Sequence, residues 1–169
     1  MLLAALCTNT RSLSVFPPRR LPLSTPSLLQ RLLEGADFYA APRSSSSGDY
    51  LVWEQWYHPD LPFQSAEIKV AKVVLTVDGK GLAVESQIHV AGQKEAVSVQ
   101  DPNWAANDCI IFTSDISGYQ NPWAYKFENG DVATSHASPI LQSPIEEECG
   151  LPRWWLSRHG LSGLSEYLV

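Results

Sequence analysis

The sequence predicts an all-β fold made of antiparallel strand meanders, and three observations carry that prediction. Between Asp101 and Gly130 several local signals agree on one strand–turn–strand unit. Upstream, the runs Tyr50–Trp56, Glu67–Val77 and Leu82–Val90 are alternating or rich in β-branched and aromatic residues, with turn residues between them. Nowhere does a strand pattern alternate with a helical one, as a parallel sheet with crossover helices requires. A coarse repeat relates the units: Leu51, Ile110 and Tyr167 hold corresponding strand positions, 59 and 57 residues apart.

Residues 1–48 read as a disordered or targeting leader and residues 49–169 as the folded domain. The first acid is Glu34, and Arg11, Arg19, Arg20 and Arg31 precede it among Ser, Thr, Leu and Pro. That composition fits a mitochondrial or chloroplast transit peptide as well as an unstructured leader. A secretory signal fits less well, because Leu2–Cys7 is short and no basic residue precedes it. Within the leader, Pro26–Glu34 reads as a short helix, with Thr25 as N-cap, Pro26 at the first helical position and Gly35 just past its end. Ser44–Ser47 with Gly48 reads as a flexible joint.

The aromatic-rich run Tyr50–Trp56 is the first predicted strand of the domain. Pro59 and Pro62 hold a loop open, and Glu67–Ala71 alternates into a second strand running towards Val77. Asp78-Gly79 reads as a tight turn, after which Leu82, Val84, Ile88 and Val90 share one alternating face interrupted by Ser86. His89–Gln100 reads as a linker. In the central unit Asn107-Asp108 is a turn pair, and Cys109–Ser114 is a strand with Ile110 and Phe112 on one face. Asp115–Gly118 can reverse the chain, since the Asp carboxylate can accept backbone N–H groups and Gly118 tolerates positive φ. Trp123, Tyr125 and Phe127 then alternate on one face, with Ala124, Lys126 and Glu128 on the other. Asn129-Gly130 is the strongest hairpin signal of the chain, and Val132–His136 is the expected returning strand. Pro139–Glu148 reads as a loop, and Gly150–Trp155 as the opening of another unit.

These segments carry a resemblance. Pro102-x-Trp104, a short turn, then Ile110 to Tyr125 with Ser114-Asp115, Ser117-Gly118 and Asn121, resembles a blade of the N-terminal β-propeller of the prolyl oligopeptidase family of serine peptidases, nearest the acylaminoacyl- and dipeptidyl-peptidase-like branch. One unit earlier, Trp56-x-His58-Pro59-x-Leu61-Pro62-Phe63 and Glu67-Ile68-x-Val70-Ala71 resemble a loop and strand of the same peptidases, with Phe63 and Gln64 in place of the family's Trp and Asp. The resemblance spans roughly residues 49–169 and implies an incomplete β-propeller of about two to three four-stranded blades. Since propellers close with about four to eight blades, the chain is expected to be a fragment.

In that family the propeller gates the access of peptide substrates, and catalysis belongs to an α/β-hydrolase domain. The implied role is therefore non-catalytic gating within a peptide hydrolase, with peptide substrates, a missing hydrolase domain or self-association as the implied partners. The alternative is a stand-alone β-sheet interaction module completed by a partner. No G-x-S-x-G nucleophile elbow occurs: Gly160-Leu-Ser162-Gly163 has Leu164 where the second Gly belongs, and Ser162 reads as a turn serine. Catalytic, cofactor-binding and metal residues are all expected to be none. His58 reads as a packed or hydrogen-bonded loop residue, and His89, His136 and His159 lack ligand-spaced partners. Glu146–Glu148 reads as a solvated acidic loop, and the Trp and Tyr faces as core rather than as a stacking platform for sugars.

Composition sets the remaining bounds. With 169 residues the chain can form an ordinary domain but not a propeller plus a hydrolase. A net charge of −6 and no Lys/Arg cluster in the domain disfavour nucleic acid and anionic membrane surfaces. No apolar run approaches the roughly 20 residues that span a bilayer. The three cysteines, Cys7, Cys109 and Cys149, are scattered and read as reduced thiols. The expected location is cytoplasmic or, if the leader targets, mitochondrial or chloroplast.

Overall fold

The computed structural model describes residues 5–6, 12–15 and 30–150, apart from 78, 80 and 129. Among them are twelve strands and no helix. A short antiparallel sheet comprises β1 (Ala5–Leu6), β2 (Ser12–Val15) and β3 (Gln30–Glu34). The first four-stranded unit follows: β4 (Phe38–Ser44), β5 (Tyr50–Trp56), β6 (Glu67–Leu75) and an outer position shared by β7 (Leu82–Val84) and β8 (Ile88–Ala91). The second unit is β9 (Val99–Ala106), β10 (Cys109–Ser114), β11 (Asn121–Lys126) and β12 (Ala137–Pro139). In both units sequential strands are neighbours and every pairing is antiparallel. Strand β9 runs against β4, β5 and β6, so the two meanders stack face to face as adjacent propeller blades do.

The stacking follows from alternation. Because successive side chains of a strand point to opposite faces, the even residues of β5 and β6, Val52, Ile68 and Val70, meet Ile110 and Phe112 of β10 and Tyr125 of β11 in one buried cluster. Residues Leu51 and Trp53 point the other way and pack with Leu33, Ala36 and Tyr39. Leu51 and Ile110 therefore do occupy matching places, each facing the unit that precedes it. The side chains of Trp53 and Phe112 are fully buried.

A shared irregularity, absent from the sequence reading, marks the leading strand of each blade. In β4 the register slips between Ala40 and Arg43, so Trp53 faces the two residues Ala41 and Pro42. In β9 it slips between Gln100 and Asn103, so Phe112 faces Asp101 and Pro102. Ala41 and Asp101 both take left-handed backbone angles, with φ of 47° and 53°. Each bulge thus sets an X-Pro pair across from the largest buried ring of its blade, a two-against-one arrangement that bends the strand and raises its twist.

Several expectations are corrected. Residues 30–34 form a strand and not the end of a helix: a two-turn helix is marginal alone, and as a strand β3 buries Leu33 against Trp53 and Tyr39. Ordered strands thus begin within the expected leader, and residues 38–44 form the leading strand of the first blade. The expected joint at Ser44–Gly48 is a bonded turn, in which Ser45 N–H donates to Tyr50 O at 2.9 Å and Gly48 N–H to Ser45 O at 3.0 Å. The single strand expected across Leu82–Val90 is broken in two at residues 85–87, and the His89–Gln100 linker begins inside β8 and ends inside β9. The returning strand is Ala137–Pro139 and not Val132–His136. Asp131 is the reason: its Oδ1 accepts Ala133 N–H and its carbonyl accepts the Ser135 hydroxyl, both at 2.8 Å, which winds residues 131–135 into a turn. The cysteine Cys7 and the expected unit opening at Gly150, with Trp154, His159, Ser162 and Tyr167, lie outside the described residues except for Gly150 itself.

Candidate functional site

The residues that carry the motif Ser114-Asp115, Ser117-Gly118 and Asn121 lie at one end of the second blade, and their chemistry there is that of fasteners. Asp115 Oδ1 accepts Ser98 N–H at 2.8 Å, and Asp115 N–H returns a bond to Ser98 O at 3.1 Å, pinning the entry of β9 to the exit of β10. Ser98 Oγ donates to Pro62 O at 2.6 Å, which ties this end to the loop of the first blade. Gly118, at φ 96°, supplies the left-handed residue that the Asp115–Gly118 turn needs. The Asn121 side chain clamps a distant loop from both sides: Nδ2 donates to Ile145 O and Oδ1 accepts Ile145 N–H, each at 3.0 Å. Glu148 is more than a solvated loop residue, because its Oε2 accepts Gln120 N–H at 3.0 Å. Burial pushes the Asp115 carboxyl above its ordinary value, Glu148 adds to the rise, and the N–H bonds it accepts oppose it.

The Trp56–Phe63 loop is likewise held in place by ring contacts and hydrogen bonds. Trp56 stacks on Phe38 at 5.3 Å between ring centroids, the His58–Pro59 peptide is cis, and His58 N–H donates to Asp37 Oδ2 at 3.1 Å. Gln64, which stands where the resembled loop has Asp, accepts Leu61 N–H at 3.0 Å. His58 itself is exposed, as are His89 and His136, and the three lie on separate elements. Among the described residues no group of three or more His, Cys, Asp or Glu is placed to hold a metal. Cys109 and Cys149 are free thiols, and burial pushes Cys109 above its ordinary value. Four aromatics pack together at the core, while Tyr119 and Phe63 are exposed: Tyr50, Trp104 and Phe127 contact one another at 5.3–6.3 Å between ring centroids, and Tyr125 joins them through Phe127 at 6.2 Å.

What the structure adds is the junction of the two leading strands. Trp104 Nε1–H donates to Arg43 O at 3.1 Å, bonding β9 to β4 across the blades. Arg43 Nη1 donates to Pro42 O at 3.0 Å; burial lowers the guanidinium from its ordinary value and the nearby Asp101 carboxylate opposes that. At the far turns Ser47 N–H donates to Asn107 Oδ1 at 2.9 Å, a second stitch between blades. Arg43 and Asp101 were not singled out in the sequence. The signal that could have found them is the pair Ala41-Pro42-Arg43 and Asp101-Pro102-Asn103, repeated at the spacing of the blades.

No protein-family profile matches the chain, and no curated protein does. Solved structures match. A puromycin-hydrolyzing peptidase of Mycobacterium tuberculosis is 27% identical with a TM-score of 0.67, over 86% of this chain and 20% of that one. A puromycin hydrolase is 26% identical with a TM-score of 0.64, over 85% and 20%. A variant of puromycin hydrolase complexed with PGG has the same fold, at 24% identity and a TM-score of 0.64. The chain thus spans about a fifth of the length of the structures it matches. Stacked meanders, blade motif and structural likeness agree: the chain carries part of a β-propeller of the kind found in prolyl oligopeptidase-family peptidases.

Proposed function

We propose that this chain supplies part of the propeller of a serine peptidase of the prolyl oligopeptidase family, in which it does not cleave bonds but restricts which peptides reach the catalytic centre. The observation that carries the reading is the 27% identity to a puromycin-hydrolyzing peptidase over 86% of the chain. The way the motif is used supports it further. Asp115, Gly118 and Asn121 close turns and clamp loops, so the signature these residues form is one of blade architecture and not of a reaction centre. Gating would fall to the leading strands, whose bulges bring Arg43 and Asp101 together. We place the protein in the cytoplasm, or in a mitochondrion or chloroplast if the leader, residues 1–48, targets it. No helix among the described residues is long and apolar enough to cross a membrane.

The test is to treat lysate of cells expressing the gene with a fluorophosphonate, which labels activated serines, and then to isolate protein with an antibody against residues 38–139. The expected result is a labelled chain that contains the segment or co-purifies with it, while the purified 169-residue chain itself stays unlabelled. Recovery of the segment with no labelled species, bound instead to an unrelated partner, overturns the peptidase reading in favour of an interaction module.

A further inference from the structure

At the outer edge of the first blade one side chain from the preceding sheet makes the bonds that a neighbouring strand would make. Strand β7 pairs with β6 through Val73↔Val84, Val74↔Ala83 and Leu75↔Leu82. The bonds that flank this ladder, Glu85 N–H to Lys72 O and Thr76 N–H to Gly81 O, each at 3.0 Å, fix which residues face inward. In an antiparallel pair hydrogen-bonded and non-hydrogen-bonded positions alternate. Residues 81, 83 and 85 therefore bond to β6, and the backbone groups of Leu82 and Val84 point away from the sheet. An outer edge of this kind is a template for another strand.

The Leu82 position of that edge is taken. The Gln30 side-chain amide, at the start of β3, accepts Leu82 N–H through Oε1 at 2.8 Å and donates to Leu82 O through Nε2. One amide thus makes both bonds that a neighbouring strand would make at that position. The fit depends on Gly81, because a Cβ added there would stand 2.5 Å from Gln30 Oε1. Beside the occupied position, the hairpin leaves Leu75 at 70% and Val77 at 111% exposure, so a strand added to this edge would find apolar side chains at its margin.

We propose that Gln30 is an edge guard: it occupies the Leu82 position of β7 and so prevents a second copy of this chain from adding its own β7 there in antiparallel register. A second copy is the occupant that fits, since the edge is short, its two outward positions are two residues apart, and the same groups on another β7 offer the reciprocal donors and acceptors. The guard works by competition within the chain. Its effective concentration is set by β3, which is held in place by burial of Leu33 against Trp53.

The experiment compares the wild-type chain with Gln30→Ala and Gly81→Ala by sedimentation velocity over a hundredfold range of concentration, with near-UV circular dichroism as the check on tertiary packing. Gln30→Ala deletes the guard. Gly81→Ala keeps Gln30 and pushes its amide off the edge, and because the clashing atom is the end of a flexible side chain the fold is retained. Both variants are expected to shift association to at least tenfold lower concentration than the wild type. Adding Val84→Pro to either is expected to reverse the shift, since Pro removes an outward N–H that the blade's own ladder does not use. Unchanged association in Gly81→Ala overturns the proposal, and so does a shift that Val84→Pro leaves intact. Neither result bears on whether the chain belongs to a peptidase.

Discussion

The two blades are alike at their leading edges and unlike at their outer ones. Strands β4 and β9 share a bulge, a left-handed residue before a proline, and a fully buried ring across from it. Outside, the first blade ends in a strand broken into β7 and β8, and the second in the three residues of β12, which closes on Pro139. The ring differs, Trp53 against Phe112, and so does the left-handed residue, Ala41 against Asp101, while the backbone shape is kept. Leading strands must curve to meet one another, so their geometry is constrained by both neighbours. Outer strands meet solvent and can be cut or shortened at little cost.

The most severe test of this equivalence is to truncate both rings. Phe112→Ala and Trp53→Ala are each expected to cost about 3–5 kcal/mol, the range for emptying a buried aromatic site, read as a fall in the urea midpoint. If the blades are one cooperative unit, each variant lowers a single common transition. Two separate transitions, one per variant, would break the comparison and make each blade its own folding unit.

A finer test concerns the left-handed residues. A non-glycine residue in that region stores about 1–3 kcal/mol, part of which glycine returns through greater freedom in the unfolded chain. Ala41→Gly is therefore expected to stabilise by about 1 kcal/mol or less. Asp101→Gly is expected to gain less than Ala41→Gly, because it also removes the carboxylate that opposes the burial of Arg43. Equal gains at the two positions would show that the Arg43–Asp101 interaction contributes nothing.

Smaller than the loss of a ring, though larger than the gains from glycine, is the loss at Asn121. Asn121→Ala removes both bonds to Ile145 and is expected to cost about 1–2 kcal/mol. Amide hydrogen exchange at Ile145 should quicken, while residues 50–56 of the first blade keep their protection.

The smallest effect is one of pH. The Asp115 carboxyl titrates above its ordinary 3.8 in the fold, with burial the first cause and Glu148 adding to it. The folded state then holds this proton more tightly than the unfolded state. Its contribution is most favourable at low pH, declines as pH rises from 3.8 through the folded value, and is flat beyond it. Asp115→Asn retains an acceptor for Ser98 N–H and should remove that slope, so the difference in urea midpoint between variant and wild type grows from pH 4 to pH 7. A constant difference would show that Asp115 is not perturbed.

What the sequence disclosed, and what it hid, follows how local each determinant is. Strand β10 is legible to its end residues because Cys109–Ser114 combines β-branched residues with a turn on either side. The face shared by Trp123, Tyr125 and Phe127 is legible for the same reason, and it does face the core. Strand β3 reads as a helix because Thr25, Pro26 and Gly35 imitate caps, and the burial of Leu33 that overrides them depends on residues some twenty positions away. Asn129, like Asp78 of the expected Asp78-Gly79 turn, lies outside the described residues; around it Asp131 N–H donates to Glu128 O, and the local turn signal does not say that Asp131 will wind the next four residues before β12 begins. The bulges were hidden altogether. A register slip belongs to a pair of strands, and only the recurrence of Pro42 and Pro102 hints at it. The motif residues could be recognised, but whether Asp115 and Asn121 hold a substrate or a loop is settled by partners at Ser98 and Ile145, which no local pattern names.

The bond from Trp104 to Arg43 gives the protein an intrinsic optical gauge. An indole whose N–H is bonded to the other blade, with Tyr50 at 6.3 Å and Phe127 at 6.0 Å, emits from a site that exists only while the blades are docked. A shift of its fluorescence to longer wavelength, resolved in time after a denaturant jump and isolated by replacing the other tryptophans, therefore times the parting of the two blades separately from the loss of strand structure within either one.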